Sequence, residues 1–171
     1  MSGGIAAERS PTPMNPIFER LGARRLHDDP EPEPDADLRE FLGIELPESL
    51  MSILLEIRGA VFLYNQALFK PLEPCGTEDK RGYDSIDLFF GWSKGTYGLK
   101  ENNRPRDWFP DNLVAIGDTP GGDRICLDKE TMEVVRWDHE GDEEDAITLI
   151  AHDFESFMAS LKTGDEVKAE G

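Results

Sequence analysis

The sequence predicts an α+β domain, an antiparallel β-sheet with helices packed on one side: two before the strands and one after them. Three observations carry this. Residues 38–57 hold two stretches with apolar residues at helical spacing, the middle of the chain is a series of short β-rich runs divided by turn residues, and a last stretch returns to helical spacing.

In the opening stretch, "DADLREFLGIELPESLMSILLEIRG", Leu38, Phe41 and Leu42 share a helical face and Gly43 stands where the helix should stop. Pro47 suits the first position of a second helix, because its missing N–H would be unpaired there in any case. Leu50, Ile53, Leu54 and Ile57 then recur at i, i+3, i+4 and i+7, with Gly59 as the expected C-terminal cap. "AVFLYN", "ALFKPL" and "DSIDLFFGW" read as strands, followed by "NLVAIGD", "DRICLD" and "EVVRWDH". Residues 128–131 have the length of a hairpin loop. Alternation in "MEVVRWD" sends Met132, Val134 and Arg136 to one side and Glu133, Val135 and Trp137 to the other. The final helix carries Phe154, Phe157, Met158 and Leu161 on one face, with Asp153 as its N-cap.

The 171 residues suffice for one domain with tails. Residues 1–36 are expected to be a flexible, Pro- and acid-rich tail in which Ile17, Phe18 and Leu21 form a short helical turn docked on the body. The folded unit is expected at 37–163, and 164–171 as a frayed C-terminus. No run approaches the roughly 20 apolar residues of a membrane span. The N-terminus lacks a secretion signal's basic start and apolar core, and two cysteines are too few for a disulfide framework. These features predict a cytoplasmic protein. With 36 acidic against 18 basic residues the net charge is −18, which opposes nucleic acid and anionic membranes and favours a basic partner or simply solubility.

The candidate chemistries fall away in turn. Gly117 and Gly122 in "IGDTPGGDRICLD" match half of a phosphate loop, but Asp123-Arg124 stands where Lys and Ser/Thr are needed, and a strand follows instead of a helix. The stretch reads as a turn, with Pro120-Gly121 at the centre of a type II turn. "WDHEGDEEDA" gathers His139 with six carboxylates yet lacks the ligand spacing of a calcium loop, so no metal is assigned. Cys126 reads as a small core residue, while Cys75 reads as exposed among acids that disfavour a thiolate. No serine sits on a nucleophile elbow. Neither catalytic residues nor a cofactor site is predicted.

What remains is a protein-binding surface. Trp92 and Trp108 flank the irregular segment "GWSKGTYGLKENNRPRDWFP" and are expected to be partly exposed, whereas Trp137 is expected in the core. From Asp138 to Leu161 there is no Lys or Arg, and Asp138, Glu140, Asp142, Glu143, Glu144 and Asp145 crowd its start, followed by Asp153 and Glu155. These acids, with the two tryptophans, are the candidate contact residues.

The elements together resemble the SUKH superfamily. "LREFLGIELPESLMSILLEIRGAVF" is similar to its N-terminal helical pair, and "FFGW" to its central strand. "WFPDNLVAIGDTPGGDRICLD", "VVRWDHE" and "IAHDFESFMASL" follow its order of Pro-led strand, glycine turn, Trp-bearing strand and Phe-bearing helix. The resemblance spans about residues 37–162 and implies an α+β fold without established catalytic residues. In bacteria it implies an immunity protein that neutralises a cognate toxin, often a nuclease, and in fungi a regulator of cell-wall synthesis. The expected partner is therefore a protein toxin with a basic surface, and the alternative is a non-catalytic scaffold module.

Overall fold

Seven strands form one antiparallel sheet whose spatial order is the chain order, from β1 (Arg24–Arg25) through β2 (Val61–Phe69), β3 (Asp84–Phe89), β4 (Leu113–Asp118), β5 (Arg124–Asp128) and β6 (Val134–Trp137) to β7 (Ile147–Ala151). The computed structural model describes residues 15–26, 30–143 and 145–171. Among these are six helices: α1 (Pro16–Arg20), α2 (Asp35–Leu42), α3 (Glu48–Ile57), α4 (Leu99–Asn102), α5 (Phe154–Ser160) and α6 (Gly164–Ala169).

The apolar faces read from spacing are the buried ones. Leu38 and Leu42 of α2, Leu50, Ile53, Leu54 and Ile57 of α3, and Phe154, Phe157 and Met158 of α5 all join the core, while Phe41 is half-buried against it. Asp153 caps α5 by accepting from Ser156 N–H at 2.7 Å, and Gly43 closes α2 in the left-handed conformation. Two ends shift by one residue. Pro47 is the N-cap of α3 instead of its first residue, and Arg58 (φ 68°), in place of Gly59, takes the left-handed cap and pairs with Asp35.

Strand alternation is broken where the sheet bends. "AVFLYN" and "ALFKPL" contribute to one strand, β2, whose register slips between Phe62 (opposite Leu88) and Ala67 (opposite Ile86), an irregularity in which Gln66 takes a positive φ of 63°. Two cross-strand rows then define the faces of the sheet. Phe89, Gly117, Ile125, Arg136 and Thr148 lie side by side on β3–β7, and Leu88, Asp118, Arg124, Trp137 and Ile147 form the next row. Adjacent residues of a strand point to opposite faces, so these rows face opposite ways. The first meets the helices: Phe89 lies 5.2 Å from Phe18 of α1 and 6.5 Å from Phe157 of α5, centroid to centroid. Gly117 belongs there for want of space, since a Cβ would stand 2.3 Å from Leu88 O. The second row lies under the loop of residues 92–112, whose Asn103 side chain pairs with both Ala115 N–H and C=O like a borrowed strand. Coverage on both sides explains why all four residues of β6 are buried despite their alternation.

Three expectations need correction. Trp92 is fully buried, with its indole N–H donating to Pro34 O at 3.0 Å. Segment 30–36 is correspondingly pinned: Pro32 bridges Ser93, Glu33 N–H donates to Trp92 O, and Lys94 pairs with Glu31. Phe18 and Leu21 are buried as well, so packed structure begins well before residue 37; residues 1–14 lie outside the described residues. Residues 164–169 form α6 instead of fraying, because Thr163 and Glu166 make a capping box and Val167 is buried.

Candidate functional site

The glycine turn is built as a turn, though of a different type. Gly122 N–H donates to Thr119 O across Pro120-Gly121, and the positive φ falls on Gly122 (90°), not on Gly121 as a type II turn requires. Its last residue, Asp123, is buried between β5 and β6. Asp123 Oδ2 accepts from Arg136 Nε at 3.0 Å, and Arg136 also pairs with Asp84. On its other oxygen, Asp123 accepts from His139 N–H at 3.2 Å and lies 2.6 Å from His139 Nδ1. One carboxylate thus ties a buried arginine to the start of the acidic loop. Hydrogen bonding to Asp123 raises the His139 pKa above its ordinary 6.5, with Glu140 and Asp138 adding to the effect.

The acidic loop is the β6–β7 connection. Asp138 N–H donates to Ala146 O at 2.8 Å and closes its base, Asp138 Oδ1 accepts from Glu140 N–H, and Asp145 N–H donates to Asp142 O. Glu140, Asp142, Glu143 and Asp145 are exposed; Glu144 lies outside the described residues. Asp153 and Glu155 belong to the start of α5, at the far end of β7 from this loop, and Asp153 is engaged as a cap.

Beside the loop lies an aromatic platform. Trp108 is 53% exposed and stacks on Trp137 at 5.9 Å, with Phe109 edge-on to Trp137 at 5.1 Å. Arg106 lies over the Trp108 ring, and Arg124 over Phe90 and Phe109. Ile147, 39% exposed, continues the patch along the same row as Trp137. A cavity of about 420 Å³ opens between the platform and the loop, and a second of about 380 Å³ lies between Trp108, Arg124 and His139. At the inner end of the row, burial pushes Asp118 up to about 6, opposed by Arg124 and reinforced by Asp87.

The structure therefore brings Trp108 together with Glu143 and the acidic loop, and leaves Trp92 out. Trp137, expected as core, is buried yet forms the floor of the platform. Asp84, Asp123 and Arg136, the buried ionic group that sets the loop, were not singled out from sequence as a group; each sits in or next to a strand where alternation gives no sign of a buried charge. Asp123, Asp138 and His139 bring ligand atoms within 4.8 Å of one another. Both oxygens of Asp123 are already held, by Arg136 and by His139, so within this group Asp123 and His139 act as members of an ion-pair cluster. Cys126 is fully buried and its thiol is pushed strongly up. Cys75 is half-buried, its Sγ 3.4 Å from Asp84. None of the described helices is long and apolar enough to cross a membrane.

The same elements are matched by a known family. The model of the SMI1 / KNR4 family (SUKH-1) covers residues 36–160. The chain belongs to this family. The SUKH-1 chain is also similar to the SPbeta prophage-derived uncharacterized protein YokK of Bacillus subtilis (strain 168), 35% identical over 137 residues, which is 73% of this chain and 71% of that one. SUKH members are generally non-catalytic immunity or regulatory proteins, and membership supports a toxin-immunity-type or related regulator role.

Proposed function

We propose that this SUKH-1 chain is an immunity protein that neutralises a cognate toxin, a nuclease, by stoichiometric contact through Trp108, Trp137 and loop 138–146. The observation that carries the reading is the half-exposed Trp108, stacked on Trp137 beside a loop with six carboxylates and no Lys or Arg, on a chain of net charge −18. A nuclease must present a basic surface to phosphate. An acidic loop accelerates encounter with such a surface, while an aromatic anchor in a desolvated centre supplies affinity. The buried Arg136–Asp123–His139 link holds the loop in place before binding, which lowers the cost of ordering it on contact.

The experiment is co-expression with whatever toxin an adjacent gene encodes, followed by titration of the purified pair. One-to-one inhibition is expected, with an association rate that falls steeply with salt. Reversing Glu140, Asp142, Glu143 and Asp145 to Lys should abolish rescue in a protein that still folds. Unchanged rescue and rate would sink the reading. Recovery of housekeeping proteins alone, with no toxin bound, would favour a regulatory scaffold.

A further inference from the structure

We propose that the cavity between the aromatic platform and loop 138–146 is a receptor for a single arginine side chain of a protein partner. The inference rests on the immunity reading for the partner's class, and on the following chemistry for the side chain. Of the eleven residues that line the cavity, Trp108, Phe109, Trp137 and Ile147 give apolar walls, Asp107 and Glu143 supply carboxylates, and His139 adds an imidazole already held by Asp123. At about 420 Å³ it falls at the low end of small-ligand sites, with room for one long side chain. An apolar stem and a charged end match this division, because such a stem packs along apolar surface while its head stays near water and counter-charge.

Arginine fits better than lysine. A planar guanidinium stacks on aromatic faces and donates two parallel hydrogen bonds to a carboxylate, whereas an ammonium is a strongly hydrated point charge. The patch already shows this preference within the chain. The guanidinium carbon of Arg106 lies 5.3 Å from the Trp108 centroid, and that of Arg124 lies 5.4 Å from Phe90 and 6.0 Å from Phe109. Nearby Glu101 is paired with Arg104 and Arg106, whereas among the described residues Asp107 and Glu143 have no ion-pair partner. Charge complementarity therefore points outward, to a cation supplied by another chain. The adjoining hollow carries Arg124, whose guanidinium repels a second cation there and limits the receptor to one.

The test uses the full chain with ¹⁵N-labelled indoles, titrated at low salt with the blocked tripeptide acetyl-Gly-Arg-Gly-amide and with its citrulline counterpart, which keeps the shape and loses the charge. The Trp108 and Trp137 indole resonances should shift saturably while that of buried Trp92 stays still, and the citrulline peptide should bind about tenfold more weakly. Glu143→Gln and Asp107→Asn should each weaken arginine binding several-fold, and Glu155→Gln, at the other end of β7, should not. Equal response to the two peptides, or an equal effect of Glu155→Gln and Glu143→Gln, would overturn the receptor. Peptide binding with no toxin neutralised would uphold the receptor and reject the immunity reading, and neutralisation without peptide binding would do the reverse.

Discussion

Trp92 and Trp108 end the same irregular segment, yet one is wholly buried and the other is half in solvent. The difference comes from what meets each ring. Trp92 receives segment 30–36, which the chain lays over it, and its N–H finds Pro34 O. Trp108 meets Trp137 below, Phe109 edge-on at 6.2 Å and Arg106 over its ring, and no segment is laid across it among the described residues. The first tryptophan fastens the front of the chain to the sheet, and the second leaves an apolar face beside a ring of carboxylates. Residue type alone does not separate a tryptophan that fastens the fold from one left half in solvent; the segment that covers the first does.

The contrast can be broken most directly at the buried ring. Trp92→Ala should cost about 3–5 kcal/mol in urea unfolding, from lost burial and the cavity left behind. Equal loss from Trp108→Ala would erase the distinction. Next in size, Asp123→Asn should cost about 2–3 kcal/mol by weakening charge-assisted bonds to Arg136 and His139. Amide exchange at residues 138–140 should accelerate with it, while the Trp92 region stays protected.

A smaller effect separates the two regions by pH. Because the folded His139 pKa is raised, its bond to Asp123 contributes fully below about 6.5, the ordinary value, and fades as pH climbs through the higher folded value. Protection factors at the His139 and Glu140 amides, corrected for base-catalysed intrinsic exchange, should fall across that window, with His139→Gln abolishing the fall. Smallest of all for stability, Trp108→Ala should stay within about 1 kcal/mol of the parent fold. Its partner affinity should nevertheless fall by about 2 kcal/mol or more, measured by calorimetry against the toxin.

The helices were legible because a single buried face writes itself as a 3.6-residue period: Leu50, Ile53, Leu54 and Ile57 are all in the core. The hairpins were legible from their turns. β2 was not legible as one strand, since the irregularity that includes Gln66 resets the alternation that would identify it. Arg136 follows its alternation faithfully, but no period announces that Asp84 and Asp123 wait on that face. The last helix carries a local signal, the capping-box spacing of Thr163 and Glu166, but is too short to show an apolar period. Of the candidate surface, sequence supplied Trp108 and the acids. It could not supply the registration of β5 with β6 that puts Arg124 beside Trp137 and so sets the platform's floor next to the loop.

The unbroken order of the sheet has a kinetic side. From Leu113 to Ala151 each strand is joined to the next by a short connection, so four strands can zip together with little loop-closure cost. β1 and β2, by contrast, are separated by α2 and α3, and their pairing must await the packing of both helices. The strands bearing the platform and the acidic loop therefore belong to the part of the chain expected to form early. Mutations in β5 and β6 should slow refolding, whereas Trp92 substitutions should act chiefly on the unfolding rate.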